Sequence, residues 1–194
     1  MAGDSDTEAG IEICALLDSG STRSFCSRGL VAQLGLKERR ELTVISTLLN
    51  KDVRESTCVE LMVSGLFIRK NTPLRLSGVI VVEAFPDGLA ETKADPSLTA
   101  QWAHLRGLAP MNRHAERLSV ELLLGQDAPS VLTPLEVRRG RDRGLFAIRT
   151  RLGWAINGPL KPAGGKTMNF SVFTEDTVKA RVSDPLLEGV MKQF

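Results

Sequence analysis

Ala15-Leu16-Leu17-Asp18-Ser19-Gly20-Ser21 is the stretch that decides how this chain folds. Upstream of it, Ile11, Ile13, Ala15 and Leu17 alternate with period two, while Cys14 and Leu16 make the opposite face apolar as well. That pattern predicts a strand buried on both faces. The strand then runs into a carboxylate, a hydroxyl and a glycine, so Asp18 stands on a turn leaving the core. A glycine there lets another backbone or a ligand come close. Taken alone, Asp-Ser-Gly is also ordinary turn chemistry, and its meaning depends on what surrounds it.

Working outward, Ser27 is placed to cap a short helix carrying Leu30, Val31, Leu34 and Leu36. Alternation over Leu42 to Leu48 and Val53 to Val63 predicts a hairpin turning near Asn50-Lys51-Asp52, with Leu48 and Leu49 close to its tip. Apolar residues at a hairpin tip suit contact with a ligand better than contact with water. Further strands are expected at Val79 to Val82, Leu118 to Leu124 and Leu145 to Thr150, with a loop around Pro86 to Pro96 and a helical turn within Trp102 to Leu108. Residues 1–10, small and acidic, read as a disordered leader. Residues 11–160 read as one mainly β domain with one or two short helices. Residues 161–194 read as a linker, containing Pro162, Gly164 and Gly165, followed by the start of a downstream region in which Leu186, Leu187, Val190, Met191 and Phe194 fall at helical spacing.

The chain has 194 residues, 25 Lys and Arg against 23 Asp and Glu, and a formal charge of +2. That length fits about one domain, and the charge gives no ground for a nucleic-acid partner. There is no apolar run of the ~18 residues a membrane span needs, and no basic and apolar leader, so the sequence predicts a soluble, cytoplasmic protein with no membrane partner. Cys14, Cys26 and Cys58 are an odd number without a Cys-x-x-Cys pair, and the only histidines are His104 and His114. These residues predict no disulfide framework, no metal site and no cofactor. Two histidines and no tyrosine leave carboxylates as the natural candidates for chemistry.

The Leu122-Leu123-Leu124-Gly125-Gln126-Asp127 segment supplies the missing context for Asp18. An apolar strand ending in Asp-Ser/Thr-Gly, followed downstream by two apolar residues, Gly, any residue and Asp or Asn, is the pair of signatures of aspartic proteases with the retropepsin fold. More closely, the chain resembles the aspartic peptidase domain of BEL/Pao-type LTR retrotransposon polyproteins. The resemblance rests on four ordered blocks. They are Ala15 to Cys26 (ALLDSGSTRSFC), Trp102-Ala103-His104-Leu105, Leu123 to Pro129 (LLGQDAP) and Ala147 to Leu160 (AIRTRLGWAINGPL). It covers residues 11–160. It implies a retropepsin-like half-barrel, hydrolysis of peptide bonds in an element-encoded polyprotein, and a position just ahead of reverse transcriptase. The separation of Asp18 from Gly125 is longer than in compact retroviral proteases, so the resemblance implies an insertion such as 86–117 and leaves the flap and dimer geometry open.

Only one Asp-Ser/Thr-Gly occurs, whereas aspartic protease chemistry needs two carboxylates sharing a proton. The expectation is therefore an obligate homodimer in which Asp18 meets its symmetry mate. One carboxylate takes a proton from an attacking water and the protonated one hydrogen-bonds to the scissile carbonyl oxygen. Asp18 is the catalytic residue; Ser19, Gly20 and Ser21 support its loop. Leu124, Gly125 and Asp127 form the second motif behind it. By analogy of fold, the hairpin from about Thr43 to Val63 is the flap, with Leu48, Leu49 and Asn50 as its candidate tip. The partners expected are a second copy of the domain and a polyprotein peptide. The alternative is a transposon-derived copy without catalysis that dimerises or binds extended peptides by adding strands.

Other motifs weigh less. Gly165-Lys166-Thr167 resembles the end of a phosphate loop, but Leu160 stands where its first glycine belongs. No Gly-x-Ser-x-Gly elbow accompanies the histidines. The arginines at 138, 139, 141, 143, 149 and 151 are diluted by Glu136 and Asp142 and read as a solvated face. Trp102 and Trp154 read as packing anchors, and the cysteines as small buried hydrophobes.

Overall fold

In the computed structural model, the described residues are 10–46, 51–65, 72–86, 102–108, 119–140, 144–160, 168–173 and 178–181. The predicted opening strand, β1 (Ile11–Leu17), is buried on both faces: Ile13, Ala15 and Leu17 enter the main core, and Cys14 and Leu16 pack with Val120 on the other side. The chain continues through β2 (Phe25–Ser27), α1 (Arg28–Leu34), β3 (Arg39–Ser46), β4 (Lys51–Gly65), β5 (Leu74–Val82) and a 3-10 turn at Ala103–Leu105. It then forms β6 (Val120–Leu124), α2 (Pro129–Leu132), β7 (Glu136–Arg138), β8 (Phe146–Thr150), β9 (Gly153–Leu160), β10 (Met168–Phe173) and β11 (Val178–Arg181). Among the described residues the protein is mainly β, as its alternation predicts, with two short helices. No helix among the described residues is long and apolar enough to cross a membrane.

Among the described residues all strands belong to one sheet, ordered β11-β4-β5-β2-β6-β1-β10-β9-β8-β7, with β3 paired to β4. An additional β11–β1 pairing closes the first part of this path into a ring. Closure removes two sheet edges and encloses the main core, which includes Leu17, Leu30, Val59, Leu61, Leu122 and Leu124. Burying a Leu or Val side chain contributes roughly 1.5–3 kcal/mol, so the ring is held chiefly by this apolar interior. Cys26 belongs to this core and Cys14 packs behind it; Cys58 is buried as well, and none of the three forms a disulfide. Burial pushes the Cys26 thiol up to about 12, with Arg28 pulling weakly the other way. Burial also raises Cys58.

Local signals explain the pieces around the ring. The Ser27 hydroxyl accepts from the Leu30 N–H at 3.0 Å and caps α1, and Gly35 ends it in the left-handed region at φ 61°. The 3-10 turn docks Leu105 and Leu108 on Leu145, Ala147, Trp154 and Ile156, forming a second apolar cluster with Trp102 at its margin. The Arg138 guanidinium lies 4.5 Å over the Trp154 ring, and Glu136 pairs with both Arg138 and Arg149. The two tryptophans thus pack as predicted, while His104 is more embedded than a solvated loop residue. It is half-buried against Gly140, with Nε2 2.8 Å from the Leu145 carbonyl.

One boundary moves. The stretch 161–194, read as linker and downstream region, contains β10 and β11. β10 pairs with β9 and with β1 at Leu16 and Val172; β11 pairs with the first half of β1 and with the end of β4. The β structure therefore continues past 160, and 178–181 closes the ring. The leader at 1–9, the hairpin tip at 47–50, residues 87–101 and 109–118, and the helical spacing at 184–194 lie outside the described residues.

Candidate active site

β1 and β6 run parallel and adjacent, and β2 lies antiparallel on the far side of β6. The chain leaving β1 must therefore cross the end of β6 before it returns as β2. Residues 18–24 make that crossing, and Gly125, the first residue after β6, is where they cross. A Cβ at 125 would lie 2.4 Å from the Arg23 carbonyl oxygen and 2.9 Å from that of Ser21. This contact needs a glycine because backbone, not a movable side chain, occupies the space.

The crossing is fastened on both sides. The Asp18 N–H donates to the Leu124 carbonyl at 2.9 Å, extending the β1–β6 ladder by one residue, and the Gln126 N–H donates to the Ser21 carbonyl at 2.8 Å. The Gln126 amide side chain also donates to the Ser19 carbonyl at 2.8 Å. Within the loop, the Ser21 N–H donates to the Asp18 carbonyl at 3.2 Å, and the Ser21 hydroxyl donates to the Arg23 carbonyl at 2.7 Å. The Gly20 N–H donates to Asp18 Oδ1 at 2.9 Å. Asp18 is half-buried and Ser19 and Gly20 are exposed, so the carboxylate stands at the surface on a fixed base.

Ser24 and Asp127 fasten the far end of the crossing. Asp127 accepts from the Ser24 N–H at 2.9 Å through Oδ2 and from the Ser24 hydroxyl at 2.6 Å through Oδ1. The same hydroxyl accepts from the Gly125 N–H at 3.1 Å, and the Ser24 carbonyl accepts from Ile80 at 3.0 Å. Ser24 is 1% exposed and satisfied in every direction. Arg23 Nε lies 3.4 Å from Asp127 Oδ2 as an ion pair without hydrogen-bond alignment, and its Nη2 donates to the Gly78 carbonyl at 2.7 Å. A cavity of about 290 Å³ opens beside this anchor between β5 and α2, with Leu76, Val79 and Pro129 among its walls.

The structure thus brings together Asp18, Ser19, Gly20, Ser21, Leu124, Gly125 and Asp127, the residues that the two motifs single out. It adds Ser24, Arg23 and Gln126, for which no role is readable locally: each acts on a partner more than 50 positions away. Leu48, Leu49 and Asn50, the candidate flap tip, lie outside the described residues; the hairpin arms are present as β3 and β4, paired from Arg39 with Cys58 to Ser46 with Lys51. Among the described residues no group of His, Cys, Asp and Glu could hold a metal ion. No protein-family model, curated protein or solved structure matches the chain.

Proposed function

We propose that this chain is a retropepsin-type aspartic endopeptidase, that it works as a homodimer, and that it cleaves a polyprotein of the BEL/Pao retrotransposon type that its motifs resemble. The observation that carries this reading is the half-buried Asp18 carboxylate on a loop fastened to the second motif at Leu124, Gly125, Gln126 and Asp127. A catalytic carboxylate must be held where charge develops without reorganising as it does so, and this loop meets that need. Among the described residues of its own chain the carboxylate accepts from one donor, the Gly20 N–H, through Oδ1.

In the proposed dimer the two Asp18 carboxylates share one proton, because like charges a few Å apart do not both ionise. The ionised carboxylate accepts a proton from a water as that water attacks the scissile carbonyl carbon. The protonated one donates a hydrogen bond to the carbonyl oxygen, and the proton taken from water is then delivered to the leaving amine. Ser21 and Gln126 hold the loop; Ser24 and Asp127 hold its far end.

The test is cleavage of a peptide library between about pH 4 and 7, a range that includes the upper apparent pKa of a shared-carboxylate dyad at about 4.7, with sedimentation on the same sample. Cleavage that tracks the dimer and vanishes in Asp18→Asn, with the fold intact, is the expected result. Cleavage retained in Asp18→Asn overturns the assignment of Asp18. A well-folded dimer that cleaves nothing overturns catalysis and leaves dimerisation or peptide binding as the role of the fold.

A further inference from the structure

β3 is paired on one side only, to β4, and among the described residues its other edge is open along all eight of its residues. At about 3.4 Å per residue this edge is about 27 Å long, a length that folded proteins ordinarily cover or guard with charge. Here the guard is partial. Arg39, Arg40 and Glu41 occupy the first part, while Leu42 to Ser46 carries no charge. On one face of the hairpin Leu42 is 79% exposed, Val44 53% and Val53 56%, with Val53 directly opposite Val44 on β4. An open edge and an exposed apolar face therefore coincide on the same stretch of β3.

We propose that this edge pairs with the β3 edge of a second copy, antiparallel and centred on Thr43, joining the two hairpins into a continuous four-stranded ribbon. Self-complementarity under a two-fold axis carries the inference and fixes the register. Centring on Thr43 sets Leu42 opposite Val44 of the other copy and Val44 opposite its Leu42. The outward face then reads Val53, Val44, Leu42, Glu55 across one row and the reverse across the next. Apolar pairs of this kind directly across a ladder are stabilising. Glu55, at the end of each row, is already paired with Arg40 at 3.0 Å. Centring on Arg40 sets that cation against its own mate, and centring on Leu42 sets Arg40 against Val44, so the neighbouring registers are disfavoured.

The contact uses the β3 edge and none of the residues of the Asp18 loop, so it does not depend on the catalytic reading. It is smaller than the ~800 Å² per partner of a standard interface, which makes the association weak and concentration-dependent.

Mixed disulfides test it on the full chain, because Leu42 and Val44 are exposed and the three native cysteines are buried. Opposed residues in an antiparallel pair have Cα atoms about 4.5–5.5 Å apart, within disulfide range. Mixing Leu42→Cys with Val44→Cys chains under mild oxidation is expected to give a covalent heterodimer at least about tenfold in excess of that from Leu42→Cys mixed with Arg40→Cys, the contrast a register-specific contact requires. The link must survive in the Asp18→Asn background and be lost when Thr43→Pro is added to both chains, with circular dichroism confirming that the remaining strands persist. Equal linking from positions 44 and 40, or sedimentation of the parent chain as a monomer at every concentration, overturns the proposal. Linking of the Leu42→Cys chain to an added cysteine-bearing extended peptide of unrelated sequence, with no link between copies, also overturns it by assigning the edge to a foreign strand.

Discussion

Gly125→Ala tests the crossing that fixes Asp18. An alanine methyl at 125 falls 2.4 Å from the Arg23 carbonyl oxygen, 2.6 Å from its carbon and 2.9 Å from the Ser21 carbonyl oxygen. Comfortable contact for a methyl carbon begins near ~3.5 Å, so the crossing loop must lift by about 1 Å, and no side chain can swing away in its place. A lift of that size stretches the Gln126 N–H bond to Ser21, now 2.8 Å, and the Gly125 N–H bond to Ser24, now 3.1 Å, beyond useful range. Two hydrogen bonds at ~1 kcal/mol each, added to an overpacking cost of about 1–3 kcal/mol, predict a loss of about 3–5 kcal/mol. In a chain of this size that lowers Tm by about 6 to 20 °C. Equilibrium urea unfolding followed by circular dichroism reads the loss as a lower midpoint at unchanged slope. Gly29→Ala is the control: the nearest atom to its added Cβ is the Ser27 hydroxyl oxygen at 3.6 Å, and alanine suits helix α1, so this variant should be no less stable than the parent. Gly125→Ala within about 0.5 kcal/mol of the parent would refute the close crossing and the argument for a fastened Asp18.

Asp127→Ala leaves the buried Ser24 N–H and hydroxyl without acceptors and is expected to cost about 2–4 kcal/mol, while Asp127→Asn, which keeps one acceptor oxygen, should recover about half in the same unfolding assay. Cys26 gives a pH dependence. Its thiol is held at about 12 in the folded chain against an ordinary 9.0, so between these values the unfolded state binds fewer protons and stability falls as pH rises. The contribution is intact below about pH 9 and fades toward pH 12, by up to roughly 4 kcal/mol, and Cys26→Ala should flatten that part of the stability curve. For the same reason alkylation of Cys26 in the native protein at pH 8 should be limited by unfolding, which mass spectrometry of pulse-labelled chains would show.

The parts of this fold legible in the sequence are those whose signal is local. β1 announced itself because both of its faces are apolar, α1 through Ser27 and the apolar spacing after it, and the β3–β4 hairpin through its alternation. The two motifs of the candidate site were legible for the same reason: a glycine that backbone must approach and a carboxylate on a turn are visible in a few residues. β2 was not, since three residues leading into a helix carry no period, yet it lies at the centre of the sheet between β5 and β6. β11 was hidden more deeply. Val178-Lys179-Ala180-Arg181 is too short to show a pattern, and its place is set by two partners far away in the chain, Ile11 to Ile13 and Met62 to Gly65. Ser24 was similarly silent, because what makes it matter is a carboxylate 103 positions downstream.

The same non-local fastening bears on what Asp18 can do. A three-residue turn with only its own hydrogen bonds would let the carboxylate wander, and catalysis degrades steeply with misplacement of about 1 Å. Here the peptide before the side chain is tied to Leu124, the peptide after it is tied through Ser19 and Ser21 to Gln126, and the loop's exit is tied through Ser24 to Asp127. The backbone is thus over-determined at the point where the side chain is not: among the described residues the carboxylate receives only the Gly20 N–H. A fixed base under a surface-facing carboxylate leaves that carboxylate open to water and to a second copy, which is what the proposed pairing of two Asp18 side chains requires.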